Sequence, residues 1–239
     1  MKAFFASLLA SATMAANTMT WNGTKATAGD IGATPKGTST WSGTSSTVAV
    51  TWTTTVTLTN KLADDDLVQA WWCMGYDNKT DCNLWQWEMD KTAYVIKGKN
   101  YTKSGTTKNA SIPAKKPKSY FDTSSSGYTA ETAVEYKQSA DNVTPTKKTG
   151  ESAASKFKYS SSKVSGKTLT GAFKRTYTAA QTTTINASGA SSAGNMGVYA
   201  KDKSKNAEVG AVKNVTIGIK KKPVAAAVVP KAPVVTNGA

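Results

Sequence analysis

From Thr47 to Leu58 the side chains alternate in character along the chain. Val48, Val50, Trp52, Val56 and Leu58 fall on one parity, and Thr47, Thr51, Thr53, Thr55 and Thr57 on the other. A helix would scatter these residues round its circumference, whereas an extended chain sends successive side chains to opposite faces. The stretch therefore demands a strand with one buried apolar face and one wet Thr face. Much of the chain follows the same rule. Ser and Thr make up about a quarter of the 239 residues, and β-branched Thr suits a pleated surface better than a helix. Short apolar runs separated by turn residues, with no fixed repeat, predict an all-β chain of about ten strands arranged as a β-sandwich.

Charge and composition exclude several functions. The chain carries 30 Lys+Arg against 15 Asp+Glu, a formal net charge of +15, and no His. Without His there is no Ser-His-Asp or Cys-His nucleophile and no His-ligated zinc. No other catalytic, cofactor or metal signature is present, so the chain reads as a non-enzyme without a cofactor. Arg175 is its single Arg. Arg is the usual residue for bidentate contacts to phosphate and guanine, so nucleic acid is not an expected partner. Lys keeps a β-surface soluble and blunts sheet edges. The clusters Lys115 to Lys118, Lys201 to Lys205 and Lys220 to Lys222 are spread along the chain and read as solvated loops, with acidic polymers as the alternative partner.

The two cysteines organise the middle of the chain. Leu67 to Met74 and Cys82 to Met89 are apolar strands flanking a turn-like Gly75 to Asp81. If Cys73 faces Cys82, as a disulfide in an oxidising compartment requires, the antiparallel register is set. Trp71 then opposes Leu84, Ala70 opposes Trp85 and Val68 opposes Trp87. The face holding Val68, Ala70, Trp72, Trp85 and Trp87 is expected to be core. Trp71 points the other way and offers a stacking platform for glycans. The acidic run Asp64 to Asp66 reads as a solvated turn; it lacks the EF-hand spacing of a calcium loop. Asn-x-Ser/Thr sequons stand at Asn22, Asn78, Asn100, Asn109, Asn142, Asn186 and Asn214. Asn78 and Asn109, on expected loops, are the candidate glycosylation sites.

The expected organisation has three parts. Residues 1–17 form an apolar segment, residues 18–222 a β-sandwich, and residues 223–239 an extended Pro/Ala/Val tail. Residues 18–47 read as short strands and turns. A Lys, Ser, Thr and Pro-rich stretch at 98–127 reads as a long loop or a boundary between two β lobes. Strands are also expected over 91–97, 128–136, 169–177, 182–185, 196–200 and 209–219. The first segment supports two readings. Lys2, an apolar run and small residues near Ala15 fit a secretory signal; the run is too short for a confident membrane span. Yet Phe4, Ala6, Leu8, Ala10, Ala12 and Met14 share one parity, and the other parity includes Ser7, Ser11 and Thr13. That is strand alternation, and such a strand requires a cleft to fill.

In organisation the chain resembles bacterial pilus subunits that assemble by donor-strand exchange. The matching features are the secretory-looking start, the spare apolar strand Phe4 to Met14, the Gly/Thr-rich β-domain from Thr20 and the Cys pair. The pair departs from the common pilin arrangement by closing a local hairpin, and the chain is longer than a typical single-domain pilin. The resemblance implies an incomplete immunoglobulin-like sandwich completed by the N-terminal strand of another subunit. It implies identical subunits as partners, in an extracellular appendage, a fimbrium. A secreted glycan- or polyanion-binding module with Trp71 as its platform is the alternative.

Overall fold

The computed structural model describes residues 14–43, 48–76, 79–104, 129–150, 157–177 and 191–218. Every regular element among them is a strand. In chain order these are β1 (Met14–Asn22), β2 (Ala26–Ala28), β3 (Ile31–Gly43), β4 (Val48–Leu58), β5 (Leu67–Tyr76), β6 (Lys79–Asp90), β7 (Ala93–Ser104), β8 (Thr129–Gln138), β9 (Thr146–Thr149), β10 (Phe157–Ser165), β11 (Thr168–Tyr177), β12 (Ser191–Asp202) and β13 (Ala207–Gly218). They form two sheets. Sheet A runs β1-β3-β4-β11-β10, with β2 also paired to β3, and sheet B runs β13-β12-β5-β6-β7-β8-β9. All pairings are antiparallel. The two sheets pack face to face as an all-β sandwich.

The alternating strand is β4, and its parity is as expected. Val50, Trp52, Val56 and Leu58 are buried, while the Thr on the other face are partly or fully exposed. Sheet B supplies Val68, Ala70, Trp85, Trp87, Ile96, Val134, Val198 and Ala200 to the same core. Two glycines let the sheets interdigitate. A Cβ on Gly171 of sheet A would lie 2.5 Å from Trp85 Cδ1 and Nε1, and a Cβ on Gly98 of sheet B would lie 2.7 Å from Tyr159 Cε1. Each ring thus rests on the bare backbone of the opposite sheet. Trp85 and Tyr159 meet edge to face, with centroids 5.2 Å apart at 83°, the favoured geometry for an aromatic pair.

Three expectations change. Residues 18–47 hold β1, short β2 and the long β3 rather than only short strands and turns. Pro35 signals a turn in sequence, yet it sits inside β3. Gly23, between β1 and β2, donates its N–H to Pro35 O at 2.7 Å. In an extended residue N and C=O point to the same side, so the donor that Pro35 lacks falls at this break, where no ladder bond is interrupted. Second, Gly98 to Ser104 are strand, and β7 pairs directly with β8. Residues 105–128, the rest of the stretch expected as a long loop or a boundary between two lobes, lie outside the described residues. Third, β5 and β6 extend to Tyr76 and from Lys79, shortening the expected turn at 75–81. The strand expected at 182–185 and the tail 223–239 lie outside the described residues.

The sandwich has two unlike ends. At one, the turns after β2, β4, β6, β8, β10 and β12 meet in a bonded cluster. At the other lie Met14, paired with Gly43, and Gly218, paired with Ser191, so the first and last described residues leave the same end.

Candidate functional site

The β5–β6 hairpin has the register expected from the Cys pair. Cys73 is opposite Cys82, Trp71 opposite Leu84, Ala70 opposite Trp85 and Val68 opposite Trp87. Val68, Ala70, Trp85 and Trp87 all belong to the core. The side chains of Trp72, Cys73 and Cys82 lie outside the described residues. Directly opposed residues in an antiparallel pair have Cα atoms roughly 4.5–5.5 Å apart, within the range a disulfide spans.

The outer face of this hairpin is not an open platform. Trp71 is 4 % exposed, and Leu84, Gln69, Gln86 and Tyr199 on the same face are also buried. The ring cannot stack a glycan from solvent as expected of it. Alternation marks one buried face; here both faces of β5 are buried, which a period-two pattern conceals. Gln69 Nε2 donates to Gln86 Oε1 at 2.8 Å, and Gln86 Nε2 donates to Glu88 Oε2 at 3.2 Å. The line continues to Lys203, which donates to Glu88 at 3.1 Å and to Asp65 at 3.3 Å. Burial alone would lower the Lys203 pKa, but the two carboxylates outweigh it and hold the ammonium above its usual value.

The acidic run is a turn with Asp64 and Asp65 exposed, as expected, and Asp66 is buried beneath it. Asp64 accepts the Lys91 N–H. Asp65, in the left-handed region at φ 66°, donates its N–H to Met89 O at 2.8 Å. Asp66 is buried and accepts the Ala63 N–H at 2.8 Å. Burial pushes the Asp66 carboxyl above the usual range, against the lowering effect of that hydrogen bond. On the facing turn, Asp202 accepts from Ser204 Oγ at 2.7 Å, Lys205 N at 3.0 Å and, across the sandwich, Asp30 N at 3.1 Å. These bonds, the Ser204 hydroxyl first, hold Asp202 below the usual range. Asp141 is also held low, chiefly by a 2.6 Å bond from Lys61, and accepts the Gly166 N–H at 2.7 Å. Among the described residues no group of three or more acidic or Cys side chains is arranged to hold a metal.

Gln138 joins the sheets at the same end. It is fully buried, donates to Val164 O at 2.7 Å and accepts from Val164 N at 2.8 Å. Its amide thus pairs with the free edge of β10 as a neighbouring strand would. Gln138 does not stand out in sequence, and the sequence does not show where the single Arg lies. Arg175 is 1 % exposed on the inner face of β11, so the chain's single guanidinium is absent from the surface, where Lys is the only cationic side chain.

Of the N-terminal parity set only Met14 is described, as the first residue of β1; Phe4, Ala6, Leu8, Ala10 and Ala12 lie outside. Asn78 and Asn109 also lie outside. Asn100 is buried and donates to Asn83 at 2.9 Å, which closes that sequon to a glycan, while Asn22 and Asn142 are exposed. Lys203 and Lys205 pair with Glu88, Asp65 and Asp30, so Lys201 to Lys205 is no free basic patch. No helix among the described residues is long and apolar enough to cross a membrane. No family model, curated protein or solved structure matches the chain.

Proposed function

We propose that the chain is a structural subunit of an extracellular fibre, an immunoglobulin-like sandwich that polymerises by giving its N-terminal strand to a neighbour. One observation carries this reading. β3 ends at Gly43, opposite Met14, and β4 resumes at Val48. Met14 thus pairs with the last residue of β3, which is itself paired with the first residue of β4. Phe4 to Ala12, extended, would reach roughly 30 Å with a continuous apolar face that a groove in another copy could cover. Backbone bonds and apolar burial in another copy would satisfy such a strand, and a head-to-tail contact of this kind propagates into an open filament. A Cys73–Cys82 disulfide formed in an oxidising compartment would lock the β5–β6 hairpin of each subunit.

The test replaces the apolar parity in the full-length chain, Phe4→Lys with Leu8→Lys, and compares it with wild type by sedimentation and negative-stain microscopy. Wild type should form filaments and the variant remain monomeric. Equal assembly of both, or a wild type that stays monomeric at high concentration, refutes strand donation.

A further inference from the structure

We propose that the outer face of sheet A binds an acidic polysaccharide, a chain of sugars bearing sulfate or carboxylate groups. This goes beyond fibre assembly and does not depend on strand donation. Register defines the face. With Val50, Trp52, Val56 and Leu58 of β4 buried, Thr51, Thr53, Thr55 and Thr57 point outward. Directly opposed residues of an antiparallel pair share a face. One row across the sheet is therefore Lys36, Thr55, Thr170 and Lys163, and another is Thr40, Thr51 and Lys174. Lys36, Thr57 and Lys174 are exposed, and Thr51, Thr53, Thr55 and Thr170 between them are partly exposed.

The charge on this face has one sign. None of the six strands of sheet A contains Asp or Glu. A surface that need only be soluble mixes both signs, as sheet B does: Lys97 lies 4.0 Å from Glu135, and Lys203 lies 3.1 Å from Glu88. Among the described residues no ion pair holds Lys36, Lys163 or Lys174. Lys36 and Lys163 stand three strand spacings apart, roughly 14 Å. Lys174 lies four residues along β11 from Thr170, roughly 13 Å. Cations spread this widely do not converge on one small anion. They suit acidic groups repeated along an extended chain, which a field of one sign also attracts from a distance.

A sugar chain fits the face better than other polyanions. Its cations are Lys alone, because Arg175 is turned inward, and the bidentate grip on phosphate and guanine is lost with it. The outward parity of β3, β4 and β11 has no aromatic residue to stack a base and no large apolar residue to anchor in lipid. It has rows of Thr hydroxyls, which both donate and accept hydrogen bonds, as sugar hydroxyls do. Lys adds point charges that meet sulfate or carboxylate without a fixed orientation.

The experiment titrates the full-length chain with heparin, a sulfated polysaccharide, at several salt concentrations. The test variant is Lys36→Glu with Lys174→Glu. Lys137→Glu with Lys148→Glu, equally exposed on sheet B, is the control with the same change in net charge. The sheet A variant should bind at least about tenfold more weakly and lower the slope of log K against log salt by about two. The sheet B variant should stay within about twofold of wild type, because distant surface charges are screened. Equal losses in both variants would assign binding to net charge and overturn the site, as would a wild type that binds no heparin. A DNA duplex that binds as tightly as heparin overturns the choice of a sugar chain. A second measurement needs no variant: bound heparin should shield Lys36, Lys163 and Lys174 of wild type from acetylation, scored by peptide mass spectrometry. Shielding confined to residues 115–118 or 220–222 overturns the site.

Discussion

Gly171→Ala tests the packing on which the whole sandwich depends. The added Cβ would stand 2.5 Å from Trp85 Cδ1 and Nε1 and 2.6 Å from Cγ. Real Cβ contacts do not approach this closely, so the ring or the backbone must move. The ring has little room. Trp85 is 1 % exposed and is boxed in by Trp87, Tyr136 and Tyr159 at centroid distances of 6.3, 6.4 and 5.2 Å. Overpacking a close-packed core costs about 1–3 kcal/mol. Replacing Gly by Ala returns about 0.4–1 kcal/mol by restricting the unfolded chain. The net expectation is a loss of about 1–2 kcal/mol, or a fall in Tm of roughly 3–8 °C for a chain of this size. Near-ultraviolet circular dichroism should change with it, because the Trp85 environment is what yields. Adding Trp85→Phe removes the clashing ring edge, so the double variant should lose less than the sum of the single losses. A neutral or stabilising Gly171→Ala, with an unaltered aromatic signal, would refute this packing.

Three further outcomes follow from the same structure. Gln138→Leu strips the Val164 N–H of its acceptor in a buried site and should cost about 2 kcal/mol in urea unfolding; a loss under about 0.5 kcal/mol would mean the amide does not bridge the sheets. The folded pKa values of Asp141 and Asp202 lie below their unfolded values, so their contribution is present above the unfolded carboxylate range and lost as pH falls through the folded values. Asp66 has the opposite sign, since its raised value costs stability above the carboxylate range and relaxes on protonation. Asp66→Asn should therefore steepen the acid-side loss and raise stability at neutral pH, seen in Tm against pH; an unchanged profile contradicts the burial of that carboxyl. If Cys73 and Cys82 are joined, reduction should remove roughly 2–3 kcal/mol by the chain-entropy model and expose two alkylatable thiols; equal labelling with and without reductant sinks the bond.

Much of the local structure was legible in the chain. Period two is a local property, so the inward parity of β4 and β5, and the register of the β5–β6 hairpin, could be read from residues close in sequence. The Cys pair helped because a single register assumption orders every cross-strand partner around it. β3 was missed because Pro35 and its glycines signal turns, and only the adjacent break between β1 and β2 makes a central-strand proline acceptable. The burial of Asp66 was not legible because the partners of its turn, Lys91, Met89 and Lys203, come from distant parts of the chain.

By itself the sequence determined that this chain is all β and which parity of its clearest strands faces inward. Tertiary structure decided which strands are neighbours, because β11 beside β4 and β12 beside β5 are pairings between segments far apart in the chain. It also decided that the lone Arg175 is interior, that Trp71 is covered, and that Gly98 and Gly171 are the seats of aromatic rings. Each of these depends on what the opposite sheet or a distant turn brings to the residue, and no alternation of polar and apolar side chains records that.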